Sequence, residues 1–261
     1  SGRVLASAEL YDPATDIWSQ APPLSGAGAK HDAILLANQQ VLVLGGTADV
    51  RGYSGASNSL RTAELYDPTT QTWTPAASMQ YSRILPTGLP LPDGRVLVVG
   101  DQGVNERTAE VFDPANGRWS SIAPPAVGRA EAVGFQLHDG TVLVAGGLSQ
   151  TNVQGFDWRH DAWSSVANLA EIRASATATV LANGEVLVAG GFGTKAIPLA
   201  SAELYDPSGT SAVGARATAS ARAPITAAAL SLGIATVLLA LGLSLRRRVT
   251  RRSAAGEVWV D

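Results

Sequence analysis

Two hydrophobic patterns alternate along residues 1–207. One is a run of four apolar β-formers ending in glycine: Val41-Leu42-Val43-Leu44-Gly45-Gly46, then Val96 to Asp101, Val142 to Gly147 and Val186 to Gly191. Four such residues in succession predict a strand buried on both faces. The pairs Gly45-Gly46, Gly146-Gly147 and Gly190-Gly191 predict a crowded exit where a Cβ would not fit. The second copy departs, reading Val99-Gly100-Asp101. The other pattern has period two: in Ala63-Glu64-Leu65-Tyr66-Asp67, Ala, Leu and Asp alternate with Glu and Tyr, which predicts a half-buried strand. It returns as Ala8 to Asp12, Ala109 to Asp113, in worn form as Val153 to Asp157, and as Ala202 to Asp206.

Turn signals divide the patterns. Asp-Pro follows the period-two strand at 12, 67, 113 and 206; proline presets a turn dihedral and cannot donate to a ladder. Six residues beyond each of the first four aspartates stands Trp18, Trp73, Trp119 or Trp163, on a predicted return strand, whereas the fifth copy has Ala212 there. Asp93-Gly94, Asp139-Gly140 and Asn183-Gly184 are hairpin signals joining an earlier Leu/Ala-rich strand to the Val-Leu-Val strand. The first unit carries Asn38-Gln39-Gln40 instead. One repeat therefore holds four short antiparallel strands, the unit of a β-propeller blade. Val41, Val96, Val142 and Val186 stand 55, 46 and 44 residues apart, a spacing that suits such a blade.

The glycine pair, the tyrosines Tyr11, Tyr66 and Tyr205 before the turn, and the Trp beyond it resemble kelch repeats over residues 1 to about 207. His31 and the repeated Arg83, Arg129 and Arg173 also fall where kelch blades carry His and Arg, with Gly28 replacing the arginine of the first unit. The resemblance implies a propeller whose relatives include binding modules and copper-radical oxidases resembling galactose oxidase. The latter depend on a cysteine cross-linked to a tyrosine, and this sequence has no cysteine. A sialidase Asp box is a poor fit, because it places Trp five residues after Asp and needs a glycine absent here.

The repeat pattern stops after Asp206. Residues 208–223, rich in Ser, Ala, Gly and Thr, read as a flexible stalk. Pro224 to Leu245 gives 22 residues without a charge, or about 33 Å of helix at roughly 1.5 Å per residue, which predicts a transmembrane helix. Residues 246–261 carry five arginines and two acids, a basic tail expected to stay cytoplasmic, leaving the propeller outside the cell. The overall charge of −3 thus divides into a body with 14 basic and 20 acidic residues and a tail of +3. A mildly acidic body has no basic footprint for nucleic acid. Ser1 enters inside a repeat, and the expectation is a chain shortened at its N-terminus. The last blade is then expected to lack its Trp strand and to be completed by an upstream strand.

For chemistry, the repeated aromatics and Asp-Pro turns read as packing and turn residues. Arg83, Arg129 and Arg173 either ring a surface for an anionic ligand or hold neighbouring loops together. His31, His138 and His160 show no metal-ligand spacing, and no acid–base pair, Gly-x-Ser-x-Gly elbow or phosphate loop is present. In an up-down blade the loops after the glycines share one face, and they vary from Leu148–Asn152 to Thr47–Arg61, so binding is expected there. Asp49, Arg51, Tyr53, Asn58 and Arg61 are the candidates; the same stretch also reads as a disordered insertion.

The sequence points to an all-β kelch-type propeller, partial, of about four to five blades of four antiparallel strands, with one C-terminal transmembrane helix. As a single-pass membrane protein it is expected to be a non-catalytic module for an extracellular glycan or protein, needing no cofactor. The alternative is an extracellular carbohydrate-active or oxidase-like enzyme whose active site lies in N-terminal blades outside this sequence.

Overall fold

The structure, a computed structural model, describes residues 4–49, 58–101, 107–207 and 215–218. A two-stranded half-blade opens the chain, β1 (Ala8–Asp12) paired with β2 (Ile17–Ala21). Four complete blades follow, each four antiparallel strands in sequence order. The first is β3 (Asp32–Leu35), β4 (Val41–Leu44), β5 (Ala63–Asp67) and β6 (Thr72–Pro75). The second is β7 (Thr87–Pro90), β8 (Val96–Val99), β9 (Ala109–Asp113) and β10 (Arg118–Ser121). The third is β11 (Val133–Gln136), β12 (Val142–Ala145), β13 (Asn152–Asp157) and β14 (Ala162–Asn168). The fourth is β15 (Thr177–Val180), β16 (Val186–Ala189), β17 (Ala202–Tyr205) and β18 (Ala215–Thr218). The opening strands β3, β7, β11 and β15 are neighbours in succession, so the blades stack as in a propeller.

One expectation about the C-terminal end needs correction. The last blade does not lack a fourth strand: residues 215–218, inside the stretch read as a stalk, pair with β17 from Ala202↔Thr218 to Tyr205↔Ala215. That pairing is made by backbone groups, so it needs no tryptophan, and an upstream strand is not required to cover β17. Among the described residues no helix is long and apolar enough to cross a membrane. The expected span at 224–245 and the basic tail at 246–261 lie outside the described residues.

The core sits between blades. Val96 and Val98 of β8 pack with Leu42 and Leu44 of the first blade, while Leu97 and Val99 face Val142 and Val144 of the third. Leu143 and Ala145 in turn meet Val186 and Val188 of the fourth. Because β8 and β12 are each sandwiched between two blades, all four of their residues are buried, as a run of apolar β-formers predicts. β4 and β16 alternate between buried and half-buried, since one side of each meets a half-blade or no described blade.

The tryptophans clamp each blade to the one before. Trp73 Nε1–H donates to the Pro22 carbonyl (2.8 Å), Trp119 to Ala77 (2.7 Å) and Trp163 to Ala123 (2.8 Å). Each ring also tilts on the aromatic residue before its own turn: Tyr66, Phe112 or Phe156, at 4.9 to 5.0 Å between centroids. Trp18 stacks likewise on Tyr11 in the half-blade, and is 54% exposed. Tyr205 of β17 packs beside the core between the third and fourth blades. The turn aspartates cap their own loops: Asp67 accepts from Thr69 N–H at 2.8 Å and Asp113 from Ala115 N–H at 2.9 Å.

Candidate functional site

The glycine pairs organise one end of the blades. Gly45 and Gly46 have φ of 67° and 95°, and a Cβ on either would stand 2.8 Å from the Arg83 carbonyl or 2.5 Å from the Ala29 carbonyl. Gly146 and Gly147 repeat this against Arg173 and Ala130. Each pair is therefore wedged between the arginine loop of its own blade and that of the next. Gly191 keeps the own-blade contact with Ala174, while Gly190 has only the Leu199 carbonyl, at 3.8 Å.

The arginines fill the wedge from within. Arg83 is fully buried; its Nη1 donates to the carbonyls of Gly100 (3.0 Å) and Thr108 (3.3 Å), and Nη2 to Glu110 (2.9 Å). Arg129 reaches the Gly146 and Asn152 carbonyls (3.1 and 2.9 Å) and Gln154 (2.7 Å). Arg173 reaches the Gly190 and Ser201 carbonyls (2.8 and 3.0 Å) and Glu203 (2.8 Å). Desolvation lowers the Arg129 pKa to about 10, with no carboxylate opposing it; for Arg83 the same effect is countered first by the charge of Glu110. These guanidiniums are buried among protein acceptors rather than presented on a surface, which is the loop-holding geometry of the two anticipated.

Two residues beyond each arginine position, the chain turns through a left-handed residue: Lys30 (φ 58°), Leu85 (51°), Glu131 (55°) and Ser175 (50°). These four equivalent positions line a single cavity of about 560 Å³. Leu85 N–H donates to the Lys30 carbonyl (3.0 Å), Ser175 N–H to the Glu131 carbonyl (2.8 Å), and Ser175 Oγ–H to the Glu131 carboxylate (2.6 Å). The remaining wall comes from post-glycine loops, notably Leu148 and Ser149 of the third blade and Phe192 to Ala196 of the fourth. Phe192 is 43% exposed there, and Lys195 holds a left-handed φ of 61° inside the short 3₁₀ turn Thr194–Ala196.

The sequence candidates on the long loop lie elsewhere. Arg51 and Tyr53 fall outside the described residues. Asp49 closes on Thr47, its N–H donating to Thr47 Oγ1 (3.2 Å) and its carbonyl accepting from it (2.9 Å). The Asn58 carbonyl accepts from Ala48 N–H (3.3 Å), and that of exposed Arg61 from Met79 N–H (2.9 Å). Neither they nor the three arginines line the mouth cavity. The ring of Lys30, Leu85, Glu131 and Ser175 was missed because its members share a backbone conformation and no chemistry; counting two residues on from each arginine finds it. Of the histidines, His31 lies at a blade entry, and His160 Nδ1 is 2.6 Å from the Asp157 carboxylate within one turn.

The Kelch motif family profile matches residues 35–80, the outer three strands of the first blade and its approaches. No curated protein matches the sequence. Among solved structures, YjhT is similar over 82% of this chain and 75% of its own, at 16% identity and a TM-score of 0.64. A fungal alcohol oxidase of the AA5 family, in complex with copper, is similar over 85% of this chain, at 17% identity and a TM-score of 0.52; this chain spans 60% of that protein's length. At these identities the likeness is one of fold. Among the described residues no group of three or more His, Cys, Asp or Glu is gathered. With the motif on the first blade, and its glycine exit and inter-blade tryptophan recurring in blades after it, the body of this chain is a kelch-type β-propeller.

Proposed function

We propose that this chain is a membrane-anchored, outward-facing binding module that takes an extracellular glycan or protein ligand at the propeller mouth, without catalysis. One observation carries the reading: four equivalent left-handed positions of near-identical backbone bear four different side chains, Lys30, Leu85, Glu131 and Ser175, around one cavity. A residue that serves only the blade recurs from copy to copy, as the tryptophans do. Variation on a constant backbone is how a repeat scaffold distinguishes ligands. The cavity falls within the roughly 300–1,000 Å³ of small-ligand sites, room for a terminal sugar or one side chain of a protein. Exposed Phe192 offers a stacking face, with Lys30, Lys195, Glu131 and Ser175 as polar partners.

A glycan array and a surface pull-down with the complete ectodomain test the reading, using wild type and Phe192→Ala. Binding that falls at least tenfold in the variant supports it, and a ligand held equally by both proteins removes the mouth from consideration. The anchor rests on the uncharged stretch 224–245 and the arginines after it. Protease shaving of intact cells should digest the body and spare the tail; the reverse pattern would refute the orientation.

A further inference from the structure

The arginine niche has the same walls in three places: the carbonyl of the glycine that follows the Val-Leu-Val strand, the carbonyl just before the period-two pattern, and a side-chain acceptor two residues later. In the first blade the walls are present and the arginine is not. Its repeat position is Gly28, 55 residues before Arg83. Gly28, Gly45, Thr62 and Glu64 instead line one cavity of about 400 Å³. The space is usable from the backbone of Gly28: a Cβ there would meet only Leu60 Cδ1 at 3.8 Å and the Thr47 carbonyl at 4.0 Å, ordinary contacts.

Glu64 shows what the niche lacks. It is 9% exposed and, among the described residues, accepts from Ser25 alone, through the N–H (3.0 Å) and the hydroxyl (2.8 Å). The N–H contact is the usual one, since Gln80 N–H donates to Glu110 (2.7 Å) and Ala170 N–H to Glu203 (2.6 Å) in the same way. What differs is the cation: Glu110 and Glu203 each hold a guanidinium, whereas Glu64 forms no ion pair among the described residues. A carboxylate taken out of water with hydrogen bonds but no cation keeps its charge unbalanced. The Thr62 carbonyl already accepts from Gly45 N–H (3.0 Å), but so do those of Asn152 and Ser201 from their glycines (3.1 Å each), and both also accept from an arginine.

We propose that this niche binds a guanidinium group brought from outside the blade, on a free alkylguanidinium compound or on an arginine of a peptide. The head would take the acceptors used by Arg83, Arg129 and Arg173, and the alkyl stem would lie along Leu24 and Leu60, which line the same cavity. Planar, forked donors match this set of two carbonyls and a carboxylate better than the point charge of an ammonium. The site shares no lining residue with the mouth cavity, so its fate is independent of the ligand proposed there.

The test is titration calorimetry on the full chain with N-propylguanidinium, and with N-propylurea as a neutral isostere. Wild type should bind the guanidinium and not the urea, Glu64→Gln should bind it at least tenfold more weakly, and Gly28→Arg, carrying its own guanidinium, should not bind it and should melt at a higher temperature. No binding by wild type overturns the proposal, as does equal binding by wild type and Glu64→Gln, a comparison that stands even if Gly28→Arg fails to fold. An acetylated Gly-Arg-Gly amide identifies the source while supporting the niche in either case: tighter binding than N-propylguanidinium assigns a peptide, weaker binding a free compound.

Discussion

Arg129 donates to the side-chain oxygen of Gln154 at 2.7 Å, at the place where Arg83 meets Glu110 and Arg173 meets Glu203. All three guanidiniums are buried, so this one is a desolvated cation facing a neutral partner, and its pKa is pushed down to about 10. Gln154→Glu should restore the pair found in the neighbouring blades. A hydrogen bond between charged groups contributes about 1.5–3 kcal/mol, from which the desolvation of the new carboxylate subtracts. The expected outcome is a gain of about 1 kcal/mol in urea unfolding at neutral pH. A lower midpoint would mean that the carboxylate's desolvation outweighs the pairing.

The tryptophan clamp predicts a separable pair of losses. Trp119→Phe keeps a ring against Phe112 but leaves the Ala77 carbonyl without its 2.7 Å donor, for a cost of about 1 kcal/mol. Trp119→Ala removes the ring as well and should cost about 3 kcal/mol, the lower end for such truncations because this side chain is only half-buried. Trp18→Ala, on the half-blade with 54% of the residue exposed, should cost much less than Trp119→Ala. Equal losses at 18 and 119 would argue against a clamp between blades.

What repeats was legible before the structure, and what varies was not. Gly45-Gly46 and Trp73 could be read because the same physical demand, a close backbone approach or a cross-blade contact, recurs with the same residue. The mouth ring escaped because a left-handed turn accepts Lys30, Leu85, Glu131 and Ser175 alike, so neither composition nor periodicity marks it. β18 escaped for a related reason: Ala215-Arg216-Ala217-Thr218 has no tryptophan and only alanine at its apolar positions, a weak strand signal, yet its backbone supplies the ladder that β17 needs. The first blade's missing arginine was visible at Gly28, but not the cavity it leaves, which depends on walls contributed by residues up to 45 positions further along, at Trp73.

The hairpin turns predict opposite signs for two substitutions, one that introduces a glycine and one that removes it. Gln39 takes φ of 70° where Gly94, Gly140 and Gly184 take 87° to 88°, and its N–H donates to the Leu36 carbonyl (3.0 Å) as Gly94 N–H does to Leu91 (2.9 Å). A left-handed conformation costs a residue with a Cβ about 1–2 kcal/mol, part of which returns as the lower chain entropy of the unfolded state. Gln39→Gly should therefore stabilise by about 0.5–1 kcal/mol and Gly94→Ala destabilise by about 1 kcal/mol. No atom lies within 4 Å of a Cβ at Gly94, so the second effect isolates backbone strain from packing. Thermal melts of the two variants check both signs.

The carboxylates predict a stability profile in acid with two components of opposite sign. Asp67 has its pKa held below 3.8, chiefly by the Thr69 N–H of its own turn, and Asp157 chiefly by His160. A carboxyl with a depressed folded pKa contributes stability above its unfolded value, and that contribution is lost as pH falls through the folded one. Asp32 is the reverse: burial raises its pKa above 3.8, against hydrogen bonds from Gly88 and Ala33 N–H and the charge of His31. Its contribution is therefore complete below pH 3.8 and is lost as pH rises through the raised value. Between that raised value and 3.8, acidification should gain stability from Asp32; below 3.8 it should lose stability from the turn aspartates. Urea midpoints measured from pH 7 to pH 3 should show Asp32→Asn losing the gain in the upper window, while Asp67→Asn declines less than wild type below 3.8. If Asp32→Asn follows the wild-type profile throughout, burial is not governing the titration of Asp32, and the profile belongs to the turn aspartates alone.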